Sequence, residues 1–476
     1  MAYALVLCPL FFALIALALP SDRLRPWLLP VGGALQGALT LLALGEGSVT
    51  SAGGWLLLDP AGKLVLALTS TLFFICSLYA PSYLRGRADR PNRVFTACLF
   101  LFQAMLALIT ESHHLGLMWV ALEAATLSTA PLLYLNRRPR SLEATWKYLL
   151  IGSVGIALGL LGSLFLAYSA LAAGLKPSLL LEDLLRDAPL LSRPWLHSAF
   201  VILFIGYGTK MGLAPMHTWK PDAYGEAPGI VGTLLAGGLT NCAFLAILRF
   251  YRICHVAGDA GFARSLMLTT GLFSMAVAAA FMARQRDYKR MLAYSSVEHM
   301  GILVLGLAIG GAGVFGSLLH MINNGLTKAV LFLSAGNIHR AFGSKRVDEV
   351  SGALRRAPLS AALFLAGFFA ITGSPPFGPF LSELTIVRAA IGAGRYGVAA
   401  AFLVLLAVVF MGMGAAVIAV VQGTPREPAP AAPFREELGA VAPIALALGL
   451  VLLLGLYLPP PLERLLREAA ESLGGT

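Results

Sequence analysis

Charge is what this sequence has least of. Of its 476 residues only 12% are Asp, Glu, Lys or Arg, while 58% are hydrophobic. Soluble domains carry about 25% charged residues, so a soluble globular chain and a disordered one are both excluded. Cysteine is scarce as well. Cys8, Cys76, Cys98, Cys242 and Cys254 are scattered without a CxxC pair, which excludes thiolate zinc sites and iron–sulfur clusters of the usual spacing. They read as apolar packing residues. No GxGxxG follows a strand, and no helix pairs histidines for haem. The sequence therefore offers no cofactor, no metal site and no catalytic centre of its own. The formal net charge is +11, but the basic residues sit in short segments between apolar runs rather than on one face. Nucleic acid is thereby excluded as a partner; loop anchors at a membrane surface carry such an excess.

Long apolar runs are what is there. A membrane-spanning helix takes about 20 mainly apolar residues. About 14 such runs begin near residues 3, 27, 62, 94, 113, 146, 195, 228, 262, 292, 312, 357, 396 and 439. The expected fold is all-α and polytopic in a lipid bilayer. The first run, MAYALVLCPLFFALIALALP, has no basic segment before it and another apolar run after it, so it reads as a span and not a signal peptide. With the N-terminus outside, 22 of the 35 Lys and Arg fall in inner segments, 11 in outer ones and two inside spans. That bias predicts a multi-pass plasma-membrane protein with both termini on the outer side. The longest outer loop, roughly 174–194, reads as an amphipathic cap. The stretch 424–437 reads as a Pro-rich linker, and PLERLLREAAESL as a surface helix. Four segments are expected: 1–93, two half-channel repeats at 94–255 and 256–422, and a last span with its tail at 423–476.

Four ionisable residues fall inside apolar runs: Glu123, Lys210, Lys328 and Glu383. Each costs roughly 2.5–3.5 kcal/mol to insert at the centre of a span. Structural salt bridges are one reading, but apolar packing serves that purpose as well or better. The chain has 27 Arg and only 8 Lys, yet both deep cations are lysine. Lysine can release its proton when desolvated; arginine cannot. A proton relay accounts for that choice.

Prolines mark two interrupted spans. Pro215 lies five residues after Lys210, and GSPPFGPF places Pro375, Pro376 and Pro379 shortly before Glu383. Freed carbonyls at membrane depth are tolerated only against protein or a watery cavity. One broken span in each half fits the inverted-repeat plan of secondary transporters. Between them, His320, Asn324 and Lys328 are spaced by four, so they drift by about 40° per step and share one helix face. Glu298 and His299 read as lying near the inner interface. His217, Lys220 and Asp222 read as an inner site of proton uptake, and His113 and His114 as outer-surface residues.

The segments GYGTKMGLAPMHTWKPDAYGEAP, RQRDYKRMLAYSSVEHMGIL, HMINNGLTKAVLFLSAGNI and GSPPFGPFLSEL together resemble the antiporter-like proton-translocating subunits of complex I and membrane-bound hydrogenases. LGLMWVALEAATLS and SLEATWKYLLIGSVGIAL are most similar to component F of the hydrogenase-4, formate hydrogenlyase type. The resemblance covers roughly 62–422. It implies a proton-translocating membrane subunit whose partners are other membrane subunits and an iron–sulfur, hydrogenase-like peripheral arm. By the same resemblance Glu123 and Lys210 match the family's Glu–Lys pair, Lys328 its central lysine and Glu383 its distal exit residue. Asn241 stands where many relatives have a bridging lysine, Asn324 where some have a second histidine, and Leu122 where Trp is usual. The long lateral helix of the largest relatives has no counterpart. Two other readings stay open: a subunit of a multi-subunit Na⁺/H⁺ antiporter, and a non-pumping membrane anchor of such a complex.

Overall fold

The computed structural model describes residues 1–47, 50–87, 90–424 and 435–475. Apolar runs of about 20 residues leave no backbone group unpaired in lipid when they coil into helices. Two such helices, α1 (Ala2–Ala18) and α2 (Leu28–Gly45), precede the long α3 (Pro60–Arg85). Then come α4 (Arg93–Glu111), α5 (Leu115–Leu133) and α6 (Pro139–Leu171), followed by the short α7 (Leu181–Asp187), which buries Leu181 and Leu184. The seventh pass is broken into α8 (Arg193–Met211) and α9 (Trp219–Glu226). Continuous passes follow: α10 (Gly229–Val256), α11 (Ala260–Met282), α12 (Tyr288–Ile309) and α13 (Ala312–Phe342). A second broken pass consists of α14 (Pro358–Ile371) and α15 (Gly378–Gly392). The last passes are α16 (Tyr396–Val421) and α17 (Leu438–Leu456), and the surface helix α18 (Pro460–Glu471) follows.

The expected all-α, multi-pass fold is therefore present. Ten helices among the described residues are long and apolar enough to span by themselves. The short α1, the polar α13 and the two broken pairs supply the other four passes. Most helix starts lie within a few residues of expectation; α6 begins at Pro139, a full turn and more before the expected 146. The reason is that Pro139 and the Ser141 cap start the helix in polar sequence. The expected linker at 424–437 falls largely outside the described residues.

Five passes run from α4 to α10 and five more from α11 to α16, each run with one broken pass. An odd number of passes turns the second run upside down relative to the first, so the repeats are inverted. Fourteen passes return the chain to its starting face. Leu5 near the N-terminus packs with Ala43, Leu66 and Ala107. At the other terminus α18 buries Leu466, Ala469 and Ala470 and sets Arg467 over the Phe315 ring at the start of α13.

Burial sorts the helices. α10 and α12 are enclosed over their entire apolar windows. By contrast α1 turns Leu7, Phe11 and Leu14 outward, as a lipid-facing helix does. In the first repeat α6 meets α8 closely because Gly155 and Gly159 lack side chains: a Cβ on Gly155 would lie 2.7 Å from the Thr209 Cβ. Small residues let membrane helices approach closely enough for dispersion to hold them.

Candidate functional site

In the first repeat, Gly212 ends α8 with φ +81, a conformation open to glycine without steric cost. The chain then turns through Pro215, and the Trp219 indole donates 2.9 Å to the Thr209 carbonyl. This break stations Lys210 in the last turn of α8, fully buried. Among the described residues its ammonium has no hydrogen-bond partner. It lies 5.0 Å from the centre of the Tyr148 ring, in space that a side chain at Gly152 would fill. Glu123 is half-buried and accepts 2.6 Å from Ser153. Among the described residues the expected Glu123–Lys210 partners form no direct ion pair: on α6, Gly152 faces the lysine and Ser153 bonds the glutamate.

Buried arginines make the contrast. Arg249 is as deeply enclosed, and the expectation that only lysines are deep is corrected by it. Its guanidinium meets Asp59 at 3.0 Å and donates to the carbonyls of Ile109, Thr110 and Ser112. Arg25 is likewise tied to the carbonyls of Ala16 and Leu19 and to Asn92. A cation surrounded by acceptors is structural; Lys210 is not so surrounded. His113, expected at the outer surface, is buried beside Asp59 at 3.6 Å. The loops before α3 and after α6 fold over it, with backbone bonds from His113 to Trp55 and Leu181 to His113.

The second repeat holds a bonded chain. Lys328 lies midway along α13 and is fully buried, 2.8 Å from the Ser295 hydroxyl and 3.4 Å from the Leu292 carbonyl. One turn further along α12, Glu298 lies 3.9 Å from the outer ring nitrogen of His299. His299 Nδ1 and His320 Nε2 are 2.9 Å apart, and His320 Nδ1 is 2.9 Å from Ser382 Oγ. Ser382 in turn donates to the Pro379 carbonyl at 2.9 Å. That last bond orients the others. With its proton committed to Pro379, Ser382 accepts from His320 Nδ1–H; His320 Nε2 then accepts from His299 Nδ1–H. His299 Nε2 is left with a lone pair facing Glu298. The tautomers all point from the centre towards the second break, assigned here from the hydrogen-bond pattern. Glu383 is buried at the end of this chain, folded against the Gly373 turn, with Oε1 unpartnered among the described residues.

Several expectations are corrected by this geometry. Glu298 and His299 are not near the inner interface: ten residues into α12 they lie about 15 Å along it, completely enclosed. His320, Asn324 and Lys328 share a face, but the bonds of His320 and Lys328 run across to α12 and α15. Asn324 has no hydrogen-bond partner among the described residues. The Asn241 amide donates 2.8 Å back to Gly237 at a widened π-turn of its own helix. His217 is buried next to the rings of Phe281 and Tyr294. Asp222 reaches one face of the helical bundle, where it meets Lys147 at 2.9 Å and Arg290 at 3.2 Å in a charged vestibule of about 540 Å³. Lys220 does not stay with it: this lysine is buried, 3.0 Å from Ser296. Pro375 and Pro376 lie in the second break and Pro215 in the first.

His299, His320 and Glu383 bring one donor atom each within 4.8 Å of one another. The donor types suit a divalent cation, but the two imidazoles are already hydrogen-bonded at 2.9 Å. Nitrogens about 2.0–2.1 Å from a tetrahedral ion stand roughly 3.3 Å apart, so one ring would have to move.

Comparison with known proteins completes the picture. Residues 112–421 match the family described as NADH:quinone oxidoreductase/Mrp antiporter, transmembrane. The hydrogenase-4 component F homolog of Methylacidiphilum infernorum is 34% identical, over 96% of this chain and 97% of that protein. NADH-quinone oxidoreductase subunit 14 of Thermus thermophilus is 32% identical, over 94% and 98%. A chain of the archaeal membrane-bound sulfane sulfur reductase, a respiratory membrane complex, shares the fold with a TM-score of 0.88. It is 21% identical, over 100% of this chain and 98% of that one. The chain belongs to the NADH:quinone oxidoreductase/Mrp antiporter transmembrane family.

Proposed function

We propose that this chain moves protons across a prokaryotic plasma membrane as one subunit of a redox-driven complex. The observation that carries this reading is the oriented chain Glu298–His299–His320–Ser382, with Lys328 bonded to the same helix. Imidazole accepts a proton at one nitrogen and releases another from the second, so two such rings in series relay a proton and then turn over to restore their tautomers. Protons enter from the inner vestibule at Asp222, are held on Lys210 and Lys328, and leave past Glu383. Coupling is electrostatic. When Glu123 approaches, Lys210 keeps its proton; when partners draw Glu123 away, the buried ammonium gives it up. The excess of basic residues on the opposite face supports having both termini outside.

Redox chemistry belongs to partners in this reading: other membrane subunits and a peripheral arm with iron–sulfur centres. The family description also names Mrp antiporters, and Na⁺/H⁺ exchange is the second reading. Protons are favoured because imidazole and lysine nitrogens line the second half, whereas a hard cation takes oxygen ligands. The test is Lys328→Met in the purified complex reconstituted in liposomes. Redox turnover continues while protons moved per electron drop by this subunit's share. Wild-type stoichiometry in that variant refutes the reading, and sodium-dependent flux replaces it with the second.

A further inference from the structure

We propose that Lys220 is a proton-binding site joining the two half-channels, exchanging its proton with Lys328 by way of Ser296 and Ser295. This rests on the proton-translocating reading above and adds to it a route across the seam between the repeats.

Lys220 belongs to a short polar stretch, WKPDAYGE, that looks like an inner loop. Instead the broken pass folds it inward. Its stem runs against Gly212, where any side chain would overlap the lysine methylenes, so it lies beneath the turn that ends α8, two residues after Lys210. The ammonium is completely enclosed. It touches the Ser296 hydroxyl at 3.0 Å and lies 5.7 Å from the Tyr224 ring centre. Among the described residues no carboxylate pairs with it. Two lysines nearby differ: Lys345 has Glu226 at 2.5 Å and Lys147 has both Glu143 and Asp222, whereas the buried Lys289 bonds the Ala227 carbonyl.

Ser296 is the neighbour in sequence of Ser295, whose hydroxyl is 2.8 Å from the Lys328 ammonium. One helix, α12, thus presents successive hydroxyls to two buried lysines from opposite repeats. In the exchange, the Lys220 ammonium releases one proton and becomes a neutral amine, and the neutral Lys328 amine becomes an ammonium. The N–H bond broken at one equals the N–H bond formed at the other, and no electrons move. Two buried ammoniums around one helix repel each other, which favours one shared proton over two. Asn241, at the position where a lysine would bridge the repeats, cannot do this. Its amide neither gains nor loses a proton near neutral pH, and its donor is committed to Gly237.

The rival role for Lys220 is a fixed charge steadying the carbonyl end of α8. Lys220→Met, Lys220→Arg and Lys328→Met would be compared in the purified complex in liposomes, measuring protons per electron and redox turnover together. Lys220→Met and Lys220→Arg are both expected to lose the same proton share as Lys328→Met, because arginine keeps its proton. Full pumping by Lys220→Arg identifies a fixed charge and overturns the proposal. Full pumping by Lys220→Met, with Lys328→Met deficient, overturns it while leaving the proton-translocating function intact. Full pumping by Lys328→Met overturns that function and this inference together. Where Lys220→Met fails to assemble, Ser296→Ala decides: the same deficit supports the route, and wild-type stoichiometry overturns it.

Discussion

Ser382→Ala tests the oriented histidine chain at its anchor. In the wild type, Ser382 accepts from His320 Nδ1 at 2.9 Å and passes its own proton to Pro379. Removing the hydroxyl leaves His320 Nδ1–H as a buried donor without an acceptor, which costs about 1–3 kcal/mol. The ring relieves that cost by shifting its proton to Nε2. There it meets the Nδ1–H of His299 donor to donor, and the chain is interrupted. At 1.36 kcal/mol per factor of ten, the conducting tautomer falls by about 5- to 150-fold, and flux through this half falls with it. The assay is proton uptake by liposomes containing the purified complex, with redox turnover followed in parallel. Ser317→Ala is the control: that serine is equally buried, and its hydroxyl bonds the Leu303 carbonyl and no titratable group. Unchanged proton flux in Ser382→Ala, or an equal deficit in Ser317→Ala, refutes the reasoning.

Two further outcomes follow from the buried cations. Lys210→Met and Lys210→Arg are both expected to abolish this subunit's proton share, measured as protons per electron, because neither releases a proton from that pocket. Asp59→Asn is expected to destabilise the fold by about 3–5 kcal/mol by stranding the Arg249 charge, read as a lower unfolding temperature in detergent. The assembled variant keeps its proton stoichiometry. Burial pushes the Asp59 carboxyl up, but Arg249 and His113 outweigh it and hold the group well below the usual carboxylate range. Its contribution is therefore complete above about pH 4 and is lost only in strong acid; the asparagine variant lacks that acid-dependent loss.

Much of the architecture was legible in the sequence because lipid imposes a harsh rule: a pass must be apolar, helical and about 20 residues long. Glu123, Lys210, Lys328 and Glu383 stood out as violations of that rule, and the prolines showed where two passes break. His320 was legible through its spacing from Lys328. Lys220 was misplaced because a broken pass buries backbone that reads as loop: WKPDAYGE carries too little apolar character to suggest a helix inside the protein. Glu298 and His299 were placed too shallow because α12 begins at Tyr288, with Asp287 accepting from the amides of Lys289 and Arg290, several residues before the apolar run is obvious. Arg249 left no warning, since only the folded chain gathers Asp59 and three carbonyls around it.

The scarcity of charge by itself determined the membrane, the passes and a short list of residues worth an insertion penalty. Which of those residues meet was decided only by tertiary structure. Periodicity relates residues on one helix, and the bonds that matter here cross between helices. His299 to His320, His320 to Ser382, Lys328 to Ser295 and Lys220 to Ser296 join residues 21 to 76 positions apart. The serines among them are ordinary in a membrane helix until a lysine or histidine from another pass lies within 3 Å.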